Sequence, residues 1–212
     1  MIPLQGCIEE REDATRAAAP RRPRLRCQEY RMETTPQRRL DVFSRWLKAL
    51  PADVAGLAHV LGAHEPEPVR VNVVAALIHL TRNLDLIPDG IAGIGYLDDA
   101  FVLRTASALA IEGLGGAGPA VLRRLARDDE FVSDFLGPDH KRFVAYVVQL
   151  REHVSKGRTP VQIASNRELM NGLIAEANAW SAEYKESPLK QEPAELDRLQ
   201  TFLRAKLAVV RV

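Results

Sequence analysis

The sequence predicts an all-α protein, a helical bundle of about seven or eight helices behind a disordered N-terminal tail. Three observations predict it. Apolar residues recur at three- and four-residue spacing along almost the whole chain after residue 36. No segment shows the apolar–polar alternation of a half-buried strand. Gly and Pro clusters separate the helical stretches at short intervals, and short connections favour antiparallel neighbours. The composition agrees, since 46% hydrophobic and 27% charged residues in 212 are ordinary for a globular chain.

The elements follow in order. From Asp41 to Leu50, Val42, Phe43, Trp46, Leu47 and Leu50 share one helix face. Pro51 is read as the early residue of a second helix, with Val54, Leu57, Ala58 and Leu61 inward. Gly62 and the run His64-Glu65-Pro66-Glu67-Pro68 end it. A strongly apolar helix spans Val69 to Thr81. Residues 82–97 hold Pro88 and three Gly and read as a loop. Asp98 or Asp99 is expected to cap the next helix, which reaches Glu112. The segment Gly113–Pro119 is a joint. A helix over Ala120–Phe135 ends at Gly137-Pro138, and Asp139 is expected to cap another, with Phe143, Val147, Leu150 and Val154 on one face and Gly157 closing it. The last two helices run from Asn166 to Glu186 and from Pro193 to Val210. Both carry leucine-rich stripes.

Charge and cysteine counts set the class. Lys+Arg is 29 and Asp+Glu is 28, so the chain has no basic excess, and nucleic acid is not an expected partner. The charge is uneven. Residues 1–31 carry seven Arg against five acids and hold both cysteines, Cys7 and Cys27; the remainder is slightly acidic and cysteine-free. The run Arg16–Arg31 is too polar to bury its way to order. Disorder, or a start of translation at Met32, is the favoured account of the residues before it. Leu4-Gln5-Gly6-Cys7 resembles a lipoprotein cleavage box but lacks the apolar run before it. The longest uncharged stretch in the middle of the chain, Val71–Thr81, is half the length of a membrane span. The expected location is therefore cytoplasmic, with a membrane surface kept as a peripheral site. The expected organisation is a tail over 1–35, a helical domain over 36–112 with an acidic loop at 82–99, and a helical extension over 113–212 packing on it.

Residues 75–102 read AALIHLTRNLDLIPDGIAGIGYLDDAFV. The core Asp85-Leu86-Ile87-Pro88-Asp89, followed by Gly95, Leu97, Asp98 and Asp99, resembles the YkvA-like family, the domain of unknown function 1232. The resemblance covers about residues 69–110. It implies an apolar helix, an acidic loop and a second apolar helix, and it implies no reaction. This chain departs from the family pattern at His79, Arg82-Asn83, Gly90 and Ala92.

Four carboxylates within 15 residues admit two chemistries. Asp98 and Asp99 suit a helix start, and Asp85 and Asp89 suit a turn that Pro88 fixes and Gly90 frees. Arg82 or Arg104 would then be the ion-pair partner of one of them. Alternatively, Asp85, Asp89, Asp98 and Asp99 converge on a divalent cation, Mg²⁺ or Ca²⁺, since hard ions choose oxygen ligands. Such an ion would serve binding or metal-dependent hydrolysis. Known templates do not fit: an EF-hand counted from Asp85 would put Ile87 and Tyr96 at ligand positions. The cap-and-turn reading is preferred to the metal. His79 is read as a core residue with a hydrogen-bond partner, close enough to Asp85 to stand behind a ligand. No catalytic motif is found. The favoured function is a non-enzymatic interaction or scaffold module, its partner an unknown protein or a second copy met through the leucine-striped helices. A divalent-metal-binding protein or hydrolase is the alternative.

Overall fold

Among residues 35–82 and 84–210, which the computed structural model describes, the backbone is helical with no strand; one isolated antiparallel bridge joins Ser155 and Arg158. The expectations for residues 1–34, including Cys7, Cys27 and the start at Met32, lie outside the described residues. Seven helices have ten residues or more: α1 Pro36–Gly62, α2 Glu67–Thr81, α3 Leu97–Glu112, α4 Ala120–Leu136, α5 His140–Gln149, α7 Arg167–Glu183 and α8 Pro193–Leu207. One short helix, α6 Pro160–Ala164, lies between α5 and α7.

Local chemistry sets the ends. Thr35 accepts the Arg38 N–H at 3.3 Å, with Pro36 in the first turn, where a missing N–H costs nothing. Pro51 does not open a second helix: α1 runs through it without a break. A proline inside a helix leaves the carbonyl four residues back without its N–H. Here that carbonyl is Leu47, and the Tyr184 hydroxyl donates to it at 3.1 Å. Asn166 caps α7 by accepting the N–H groups of Glu168 and Leu169. Asp139 precedes α5 without a side-chain cap; its carboxylate meets Arg204 at 3.2 Å and Arg142 at 3.7 Å instead. The helix α5 also stops earlier than its sequence pattern suggests. A 3₁₀ turn over Leu150–Glu152 follows, then a tight turn with Lys156 and Gly157 at positive φ. Five residues are too few to show a period, so α6 is marked only by its cap, Thr159, in a capping box with Gln162.

Two helices form the centre. Buried residues lie all round α2 and most of α3, which pack against each other; α3 also packs along α4, and α1 along α7. Phe43, Trp46, Phe101 and Phe135 make an aromatic cluster between α1, α3 and α4, with Phe43 4.9 Å from Phe135 and 5.1 Å from Phe101. Arg104 is fully buried beside it. Its guanidinium lies 3.8 Å above the Trp46 ring, donates to the Ala100 carbonyl at 2.8 Å, and pairs with Asp53 at 3.4 Å and Asp128 at 3.5 Å. Stacking and two carboxylates offset the cost of burying that charge. Among the described residues, no helix is long and apolar enough to cross a membrane.

Candidate functional site: an acidic loop between two buried helices

The loop 82–96 leaves α2 and returns to α3, and its apolar residues anchor it. Leu86, Ile87 and Ile94 are buried, as is Leu97 at the start of α3. The Leu84 N–H donates to the His79 carbonyl at 3.1 Å, and the Tyr146 hydroxyl donates to the Leu84 carbonyl at 2.9 Å. Pro88 and Ile91 open a chain of turns: the Ile91 N–H meets the Pro88 carbonyl, and the Ile94 and Gly95 N–H groups meet the Ile91 carbonyl. The glycine that uses positive φ is Gly93, at +85°, and not Gly90. Gly95 is needed for closeness, since a Cβ there would overlap the Asp89 backbone.

Asp98 and Asp99 lie in the first turn of α3, yet neither caps it, and Tyr96 holds the cap position without a side-chain bond. Both side chains turn inward and are buried. One Asp98 oxygen, Oδ2, accepts the N–H groups of Leu86 at 2.7 Å and Ile87 at 3.1 Å. That fixes the stretch between Asp85 and Asp89 against the helix start. Asp99 reaches across to α2, where its Oδ1 lies 2.9 Å from His79 Nδ1. The ion-pair expectation is corrected at both arginines. Arg82 pairs with Glu176 at 3.4 Å, and Arg104 is taken by Asp53 and Asp128. Position on the helix decides this: Arg104 is almost two turns along α3, so its head lies at the aromatic cluster rather than at the loop.

Three of the four predicted carboxylates converge. Asp85, Asp89 and Asp99 each offer an oxygen, and these oxygens lie within 4.8 Å of one another. Asp98 stands outside the group as its brace. Oδ1 of Asp85 and Oδ1 of Asp89 are buried without a hydrogen-bond partner, as are Asp98 Oδ1 and His79 Nε2. Asp85 and Asp89 are half-buried and Asp99 is fully buried.

The electrostatics follow from burial and crowding. Burial raises the Asp89 carboxyl to about 6, with Asp85 adding to the rise and His79 opposing it. Asp85 is raised by burial and held back by His79 and by a hydrogen bond from the Asp89 backbone. Asp98 and Asp99 are both raised well above the carboxylate range, by burial first and then by neighbouring acids. Burial lowers the His79 imidazole, although three of the acids pull it back up. Burial also raises the Tyr96 hydroxyl, and then Asp89, Asp99 and Asp85 raise it further, which places it among the same acids. Burial and crowding both favour the protonated forms of these acids. The paired role of His79 was half visible in the sequence, as one polar ring in an apolar helix. Tyr96 and Tyr146 carried no such signal.

Fold and site together define an all-helical chain built around a helix–acidic loop–helix element. That element carries the family match: the family model described as Protein of unknown function (DUF1232) matches residues 69–104, a short segment of the chain. The match covers nearly all of α2, the loop and the first half of α3. No curated protein and no solved structure matches the chain.

Proposed function

We propose that the acidic loop is a divalent-cation site, with Asp85, Asp89 and Asp99 as ligands and the ion holding the loop between α2 and α3. The observation that carries this reading is the convergence of three carboxylate oxygens within 4.8 Å, two of those carboxylates having a buried, unpartnered oxygen. Ligand oxygens around a hard cation at about 2.0–2.6 Å are separated by at most about 4–5 Å, so the spacing fits. An all-oxygen set favours Mg²⁺, Ca²⁺ or Mn²⁺ over softer metals. The ion would replace protons on a crowded anionic group and turn mutual repulsion into attraction. A holding role suits the site better than hydrolysis. A hydrolytic metal needs an open coordination position beside room for substrate, whereas the Asp99 side of this site is closed. On this reading the protein is a helical module whose loop conformation depends on the ion, in keeping with a non-enzymatic interaction role.

Calorimetric titration of chelator-treated protein with Mn²⁺ tests the reading, with Mg²⁺ and Ca²⁺ as competitors. One ion per chain is expected. At 100-fold excess over Kd, binding adds about 2.7 kcal/mol, which for a chain of this size is a rise in Tm of roughly 5–10 °C. Asp85→Asn and Asp89→Asn should abolish both effects. No heat and an unchanged Tm with all three ions would overturn the proposal.

A further inference from the structure

We infer that His79 is the positioning residue of the cation site: its ring holds one Asp99 oxygen so that the carboxylate is presented to the ion in a single orientation. The inference rests on the cation reading and deepens it. His79 is a polar ring in a helix that is otherwise buried and mostly apolar, and it is 0% exposed. Its Nδ1 lies 2.9 Å from Asp99 Oδ1, a contact across 20 residues that joins the last turns of α2 to the first turn of α3. The residue holds the loop twice, since its own carbonyl accepts the Leu84 N–H. Tyr146 stands edge-on to the ring, 5.8 Å away at 83°, and its hydroxyl bonds the Leu84 carbonyl. The ring is thus fixed by packing, and Asp99 is fixed by the ring.

A carboxylate has two oxygens. With Oδ1 taking the Nδ1–H of a neutral imidazole, Oδ2 and the remaining lone pair of Oδ1 are left for the ion. Asp85 and Asp89 come from a loop, whereas Asp99 comes from a helix, so Asp99 is the ligand that can be set rigidly in advance. Partners that orient a ligand in this way typically change metal affinity by 10- to 100-fold. Asparagine can place an amide N–H near the position of Nδ1, and leucine cannot.

The test is Mn²⁺ affinity, read as the free-ion resonance signal, for wild type, His79→Asn and His79→Leu, with the metal-free Tm of each as a control. The expected result is a 10- to 100-fold weaker Kd in His79→Leu and recovery of most of that loss in His79→Asn. A purely structural role would lower the metal-free Tm of both variants without separating their affinities. Should His79→Leu fail to fold, nitrogen NMR of the wild-type imidazole saturated with Mg²⁺ decides: a protonated Nδ1 supports the inference and a bare Nδ1 overturns it. If the wild type takes up no Mn²⁺, the cation reading itself fails. If the wild type binds and His79→Leu binds equally well, only the role of His79 fails.

Discussion

At the scale of single residues, Asp89 sets how the site responds to acid. Its carboxyl is raised to about 6 by burial and by Asp85, above the ordinary unfolded value near 3.9. A group with a raised folded pKa binds more protons folded than unfolded in the interval between the two values. Its contribution to stability is therefore complete at low pH and is lost as pH rises from about 4 to about 6. Glu176, ion-paired with Lys156 and Arg82, has a lowered carboxyl pKa and pulls the opposite way. The measurement is accordingly the difference between wild type and Asp89→Asn. In metal-free protein, the wild type should lose stability relative to the variant over that interval, as seen in urea midpoints at pH 4, 5, 6 and 7. A parallel pair of curves would remove the Asp89 assignment. Cation binding competes with the same protons, so affinity for Mn²⁺ should increase over the same range. Asp85, Asp89, Asp98 and Asp99 were legible in the sequence because their spacing within the loop is short. Their division into three converging groups and one brace was not legible. That division depends on which face of α3 points at the loop, and Asp98 and Asp99 are adjacent in sequence but about 100° apart on a helix.

At the scale of elements, α1 shows why helix content was readable and helix limits were not. The apolar spacing of Val42 to Leu61 marks helix on both sides of Pro51, and proline is at home in a first turn. Sequence rules therefore divide the element there. What joins it is remote: the hydroxyl of Tyr184, just beyond the end of α7, donates to the Leu47 carbonyl that Pro51 cannot serve. The contact also locks α7 onto α1, along which it packs. Tyr184→Phe should cost about 1–3 kcal/mol, because it leaves a part-buried carbonyl without a donor while keeping the ring. The ring itself still packs on Tyr96 and Trp180, at 5.2 Å and 5.0 Å. Hydrogen exchange provides the sharper reading, since the loss should fall on the amides around Pro51 and not on α4. A Tm within a degree of the wild type would show that the helix carries its proline unaided.

At the scale of the whole molecule, the acidic loop is held by parts of the chain far outside the matched segment. The Gly93 N–H donates to the Ser187 hydroxyl at 2.9 Å, and a Cβ at Gly93 would press on the Pro188 carbonyl. Tyr146 bonds the loop at Leu84, and Tyr96 packs on Trp180 and Tyr184. The loop is thus set from both sides, by its own turns and by the segment between α7 and α8. Gly95 separates these two influences. Its N–H closes a turn on the Ile91 carbonyl, and an added methyl would overlap the carbonyl carbon, oxygen and Cα of Asp89. Backbone atoms cannot swing aside as a long side chain can, so Gly95→Ala has to move Asp89 itself. The contacts at Gly93 and Leu84 still hold the loop. The expected result is a protein with near-wild-type helicity, a metal-free Tm lowered by a few degrees, and Mn²⁺ affinity reduced at least tenfold. Wild-type affinity in a folded Gly95→Ala protein would mean that Asp89 is dispensable as a ligand. The cation would then be held by Asp85 and Asp99, with water filling the coordination positions left by Asp89.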